Sequence, residues 1–226
     1  MPETDWLLYF RANAAEPPLP WKDDYRLSGA ERVAVIESIQ QFQLGENAQG
    51  RRLLKRAEML DAELVPVLRL FIREEQRHSE ILARFLTTQG AHRLTRHWVH
   101  GAFRRVRGWA GLELGMRVLA TAEVLAIPYY SALRDATGSP LLRSICSRIL
   151  AEEAQHLRFQ AFTLKRLGFR RAELLRDLVS EFHRWFLMAT TLLVWIEHTR
   201  VFRAGGYSFQ RLWRETLSAG RALLQA

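Results

Sequence analysis

Residues 73–80 read REEQRHSE, from Arg73 to Glu80, and within them Glu75 and His78 stand three apart. On a helix, positions three apart share a face, so this carboxylate and imidazole can hold one metal ion between them. Residues 151–158 read AEEAQHLR, where Glu153 and His156 repeat the pair. With 18 Glu and 7 His in 226 residues, chance supplies about half of one Glu-x-x-His match, so two in equivalent surroundings point to function.

Each pair has a carboxylate upstream at nearly the same distance. Glu46, in QLGENAQG, precedes Glu75, and Glu123, in TAEVLAIP, precedes Glu153; the two intervals are all but equal. At about 1.5 Å of rise per residue, such a spacing takes the chain along one helix, around a short turn and back to the same level. Four helices then bring four carboxylates and two imidazoles to one depth of a bundle. Glu113 is the rival to Glu123 on its helix, but its interval to Glu153 is much the longer and breaks the match.

One Glu from each of two helices and Glu-x-x-His from each of two others resembles the ferritin-like di-iron carboxylate superfamily, over roughly residues 28–167. The resemblance implies an all-α fold: a ferritin-like four-helix bundle with a long crossover between its second and third helices, plus one or two C-terminal helices. It implies Glu46, Glu75, His78, Glu123, Glu153 and His156 as ligands of two Fe ions, with Mn or mixed Mn/Fe as the alternative. Glu75 and Glu153 would bridge, and Glu46 and Glu123 would be terminal.

The activity implied is that of an oxygen-activating oxidoreductase, a hydroxylase or oxygenase acting on an organic substrate. An external electron donor is then required, because no flavin or iron–sulfur motif is present. Two other readings stay open. One is a ferroxidase, iron-handling or peroxide-reducing protein, although no Cys-x-x-Cys module accompanies the bundle. The other is a non-enzymatic metallo-bundle that binds RNA or membrane through an Arg-rich face.

Composition fits a single helical unit with a sizeable core. The formal net charge of +9 is carried by 30 Arg and only 3 Lys, which fits either GC-rich coding or a face for anionic partners. Cys146 stands alone, so no internal disulfide forms, and its apolar setting suits a buried residue better than a reactive thiol. MPETDWLLYF has acidic residues where a secretory signal needs basic ones, so the expected location is cytoplasmic, with peripheral membrane contact as an option.

In chain order, residues 1–27 read as an N-terminal arm, broken by EPPLP and pinned to the outside by Trp6, Trp21 and Tyr25. Residues 28–203 form the bundle with its extra helix. Its first helix starts at Ser28, with Glu31 completing a capping box, and runs to about Leu60 with Gly45 and Gly50 inside it. These glycines, with Ala120, Ala122 and Ala126, leave room for a substrate channel beside Glu46 and Glu123. The second helix begins between Asp61 and Pro66 and ends at Gly90; on it, Glu74 and Glu80 face away from the ligands as solvated or outer groups.

Residues 91–108 form the crossover, where His92, His97 and His100 lie among five Arg with Trp98 and Phe103. An anionic partner there would be RNA, lipid or an acidic redox protein. The third helix spans about Leu112 to Ala136, with a kink expected near Pro128. The fourth opens at Ser139 and Pro140 and ends before Gly168. A fifth, from about Arg171 to Phe202, holds the twelve-residue run WFLMATTLLVWI, too short for a membrane span of about 20 residues. It covers the bundle or forms a homodimer interface, and its His183 reads as a structural histidine. Residues 204–226 form a short basic C-terminal helix after Gly205 and Gly206.

Overall fold

The computed structural model describes residues 3–14, 18–47, 50–98, 101, 111–168 and 173–224, and these contain helices and no strand. A short helix α1 (Glu3–Ala12) precedes α2 (Gly29–Glu46), α3 (Arg51–Leu60) and a 3-10 turn (Ala62–Leu64). Then come α4 (Val65–Thr88), α5 (Leu112–Asp135), α6 (Pro140–Gly168), α7 (Glu173–Ala204) and α8 (Phe209–Leu224). α2 with α4 and α5 with α6 form two antiparallel pairs, α4 faces α6, and α7 packs across α2 and α5.

Local chemistry sets the boundaries. Ser28 and Glu31 make the expected capping box at the start of α2, satisfying two otherwise orphaned N–H groups. Ser139 Oγ accepts from Leu142 N at 3.2 Å, with Pro140 in the first turn of α6. Gly90, at φ 66°, ends α4 by bringing Ala91 N back to Leu86 O at 2.8 Å, a closure that favours glycine.

Two expectations are corrected. The first helix does not run to Leu60: α2 stops at Glu46, Gly50 adopts φ 59°, and α3 begins afresh at Arg51. Asn47 and two glycines make that stretch a poor helix, and the break turns Leu53 and Ala57 of α3 into the core beside Leu64 and Leu68. The N-terminal segment, for its part, does not lie wholly outside the bundle. Trp6 and Phe10 are buried against Phe71 and Phe159, because a 3–4 spaced aromatic face gains more from the core than from water. Trp21 and Tyr25 lie nearer the surface, one under the Arg84 guanidinium and the other bonded to Glu31.

The buried apolar residues fall into two clusters. One holds Ile39, Leu82, Phe85, Tyr129, Ile145 and Ile149, and the other Phe10, Leu68, Phe71, Met116, Phe159 and Leu164. Along α4 and α6 the Glu-x-x-His pairs lie between them. The polar layer is therefore a seam across the middle of the bundle. Cys146 belongs to the first cluster, where burial pushes its thiol pKa up. No helix among the described residues is long and apolar enough to cross a membrane. Half of the Arg-rich crossover, residues 99, 100 and 102–108, lies outside the described residues.

Candidate metal centre

Glu46 sits in the last turn of α2, Glu75 and His78 on α4, Glu123 on α5, and Glu153 and His156 on α6. All six side chains converge. Glu46, Glu75, His78 and Glu153 each offer an atom within 4.8 Å of the others, and so do Glu75, Glu123, Glu153 and His156. Glu75 and Glu153 belong to both groups; Glu46 and Glu123 each belong to one. His78 Nδ1 lies 3.2 Å from Glu153 Oε1, and His156 Nδ1 lies 2.9 Å from Glu75 Oε1, so each imidazole faces a carboxylate of the other pair. Both imidazoles and Glu153 are fully buried, whereas Glu46 and Glu75 are half-buried.

The far side of each imidazole is held crosswise. His78 Nε2 meets Glu152 Oε2 at 2.5 Å, and His156 Nε2 meets Glu74 Oε2 at 3.1 Å. Each helix thus orients the other's histidine. Arg77 bonds Glu74 at 2.6 Å and Arg148 reaches Glu152 at 3.5 Å, balancing the two outer charges. Asn13, just past α1, donates from its amide nitrogen to both Glu74 and Glu152. Tyr130 donates to Glu46 Oε1 at 3.0 Å, and Gln160 to Glu123 Oε1 at 2.9 Å. Phe71 and Phe10 wall His156 on its apolar side.

Of the two carboxylates expected to face away, Glu80 is exposed, but Glu74 is an outer partner with only 2 % exposure. Glu152 escaped the spacing argument. Its signal was the doubled Glu in EExxH, repeated in both halves. Asn13 carried no such signal. Ala122 and Gly45 are exposed and Gly50 abuts Ile72, so the expected channel is not built from those residues. His183 stands outside both groups, against Thr121 Oγ1 at 3.0 Å and Arg117, and Glu113 pairs with Arg117 at 3.2 Å.

The electrostatics record crowding. Burial, then the charges of Glu75 and Glu153, hold the Glu46 carboxyl well above the usual carboxylate range, and Glu123 is raised in the same way. Burial pushes against charging either imidazole, but the carboxylates around them win and raise both well above 6.5. Burial would also raise Glu153, yet its contacts with Glu123, His156 and His78 keep it low. The opposed shifts record like charges packed into one buried space.

Within the six convergent side chains, five buried atoms lack an aligned hydrogen bond and meet one another: Glu75 Oε1, His78 Nδ1, both Glu153 oxygens and His156 Nδ1. Buried polar atoms are rarely left unpaired, and this set of hard oxygens with two imidazole nitrogens fits two divalent Fe or Mn ions.

No family model and no curated protein matches the chain. Solved structures do. An R2-like ligand-binding oxidase without metal cofactor superposes with a TM-score of 0.74 at 16% identity, covering 100% of this chain and 96% of that one. A single-substitution variant of such an oxidase, with an aerobically reconstituted Mn/Fe cofactor, gives 0.75 at 15% identity over the same shares. The fold is that of the R2-like ligand-binding oxidases. These oxidases belong to the ferritin-like superfamily, so the ferritin-like helical bundle that the resemblance implied is present. The likeness to R2-like ligand-binding oxidases spans the whole chain, taking in α1, α7 and α8 as well as the four helices that carry the site.

Proposed function

We propose that this chain is a non-haem di-metal carboxylate oxidoreductase that uses molecular oxygen to oxidise an organic substrate. Glu46, Glu75, His78, Glu123, Glu153 and His156 would hold the two ions. The observation that carries this is the convergence of four carboxylates and two imidazoles, five of whose buried atoms lack an aligned hydrogen bond. Two divalent cations would neutralise the four inner carboxylates, while Arg77 and Arg148 already balance the outer pair. The Mn/Fe cofactor named for the similar oxidases supports Fe or mixed Mn/Fe as the occupant.

Bound there, a reduced pair of ions would supply electrons to dioxygen away from bulk water. The chain's own residues set the conditions for this. Glu75 and Glu153, common to both groups, would bridge, and Glu46 and Glu123 would close the two ends. Glu152 and Glu74 would fix the tautomers that leave both Nδ1 atoms free to ligate. Burial and the Glu46 charge keep Tyr130 protonated, so its O–H would orient Glu46. Phe10, Phe71 and Phe159 would keep water from the His156 side.

Electrons would come from a separate donor protein. The exposed Phe182, Trp185, Leu192 and Ile196 on α7 support a homodimer or a peripheral membrane contact, and the crossover at residues 91–108 an anionic partner. Sedimentation, vesicle binding and salt-dependent RNA binding would separate these. For the activity itself, the test is anaerobic Fe loading followed by oxygen exposure with optical and Mössbauer spectra. Two Fe per chain and oxygen uptake limited to about one per centre would support the oxidase. Continued uptake of iron with accumulation of ferric mineral would assign the chain to iron handling instead.

A further inference from the structure

The two imidazoles sit on different helices, yet one residue from outside the bundle reaches the partners of both. Asn13 Nδ2 donates to Glu74 Oε1 and, at 3.2 Å, to Glu152 Oε1. Glu74 holds His156, and Glu152 holds His78. An amide nitrogen has two N–H bonds, and here each finds its own carboxylate. The choice of residue follows from the charges. Two carboxylates close enough to share one nitrogen repel each other, a neutral double donor bridges them, and an acid could not donate.

Asn13 is itself fixed in place. Its backbone N–H continues the α1 pattern to Tyr9 O at 2.9 Å, and its backbone carbonyl accepts from Arg77 at 3.3 Å. Trp6 and Phe10, seven and three residues earlier on the same helical face, are 2 % and 3 % exposed. The apolar face of α1 thus seats the amide at one place over the centre.

We propose that Asn13 is a positioning residue of the metal centre, bracing both histidines at once through Glu74 and Glu152. This rests on the di-metal reading. It differs from an ordinary outer contact in its reach: a change at Glu152 frees His78 alone, whereas a change at Asn13 loosens the two half-sites together.

The test uses the full chain loaded with Zn(II). Titration calorimetry reads the two affinities, and NMR reads the Nε2–H resonances of His78 and His156. Asn13→Ala should move both resonances and weaken both ions by about 10-fold or more. Glu152→Gln should move only the His78 resonance. If Asn13→Ala unseats α1, seen as lost amide-exchange protection over that helix, Asn13→Asp is read instead, since it keeps the shape and loses the donor. In the variant that retains α1, two unmoved resonances, or movement of one alone, would overturn the inference. If both variants release α1, unchanged affinities overturn it and joint loss sustains it. A wild-type chain that binds no ion would bring down the di-metal reading as well, and so is distinguishable from failure of the Asn13 role alone.

Discussion

Glu31 joins two distant parts of the fold through one side chain. It accepts from Ser28 N at 2.7 Å, Gly138 N at 2.8 Å and Thr137 Oγ1 at 3.1 Å, so the start of α2 is tied to the α5–α6 turn. Burial works against its charge, but these donors and Tyr25 win and hold its pKa at about 2, against 4.5 unfolded. Its stabilisation is therefore complete above about pH 4.5 and lost as pH falls through about 2. Glu31→Gln should cost about 1–2 kcal/mol at neutral pH, and urea unfolding should show the gap to wild type closing with acid. At the centre, Glu75→Ala or Glu153→Ala should abolish most binding of both ions, and Glu46→Ala or Glu123→Ala mainly one, by elemental analysis after anaerobic loading. The six convergent side chains were legible because spacing on a helix is a strict ruler. Asn13 was not, since it reaches Glu74 and Glu152 across 61 and 139 residues and no repeat marks it.

Helix starts were readable wherever a single side chain decides them, as at Ser28 and Ser139. The break between α2 and α3 was harder. Glycine inside a helix costs only about 1 kcal/mol, which tertiary contacts can override. What decides the matter is the left-handed Gly50, where an added Cβ would come within 2.2 Å of Ile72 Cδ1, a neighbour no local rule reveals. Gly50→Ala should destabilise by about 1–3 kcal/mol, measured as a lower urea midpoint. Because the strain falls just beyond Glu46, Zn(II) affinity should fall with it. The burial of α1 was illegible for a similar reason. The proline-rich run after it marks a break in helix but says nothing of where the preceding aromatic face docks.

At the scale of the molecule, acid should act through two histidines that belong to neither ligand group. Burial, then Arg117, lowers the His183 pKa from 6.5 to about 4; burial, then His97, lowers His198 from 6.5 to about 3. Both folded values lie below the unfolded one, so the unfolded chain takes up protons first. Stability from these sites is full above about pH 6.5 and declines as pH falls toward 4 and 3. His198→Asn should flatten the pH dependence of the melting temperature over that window, relative to wild type. The bundle as a whole, with its paired halves and single site, followed from one motif met twice, at Glu75 and at Glu153, each with its upstream carboxylate. The seam between the two apolar clusters has a thermodynamic corollary. The crowded carboxylate layer between two cores should be their weakest link, and cations held there would turn repulsion into cross-linking. Stripped of metal, the chain should melt as two loosely coupled units, with a calorimetric enthalpy above the van't Hoff value. Loaded, it should melt as one unit, with the two enthalpies equal.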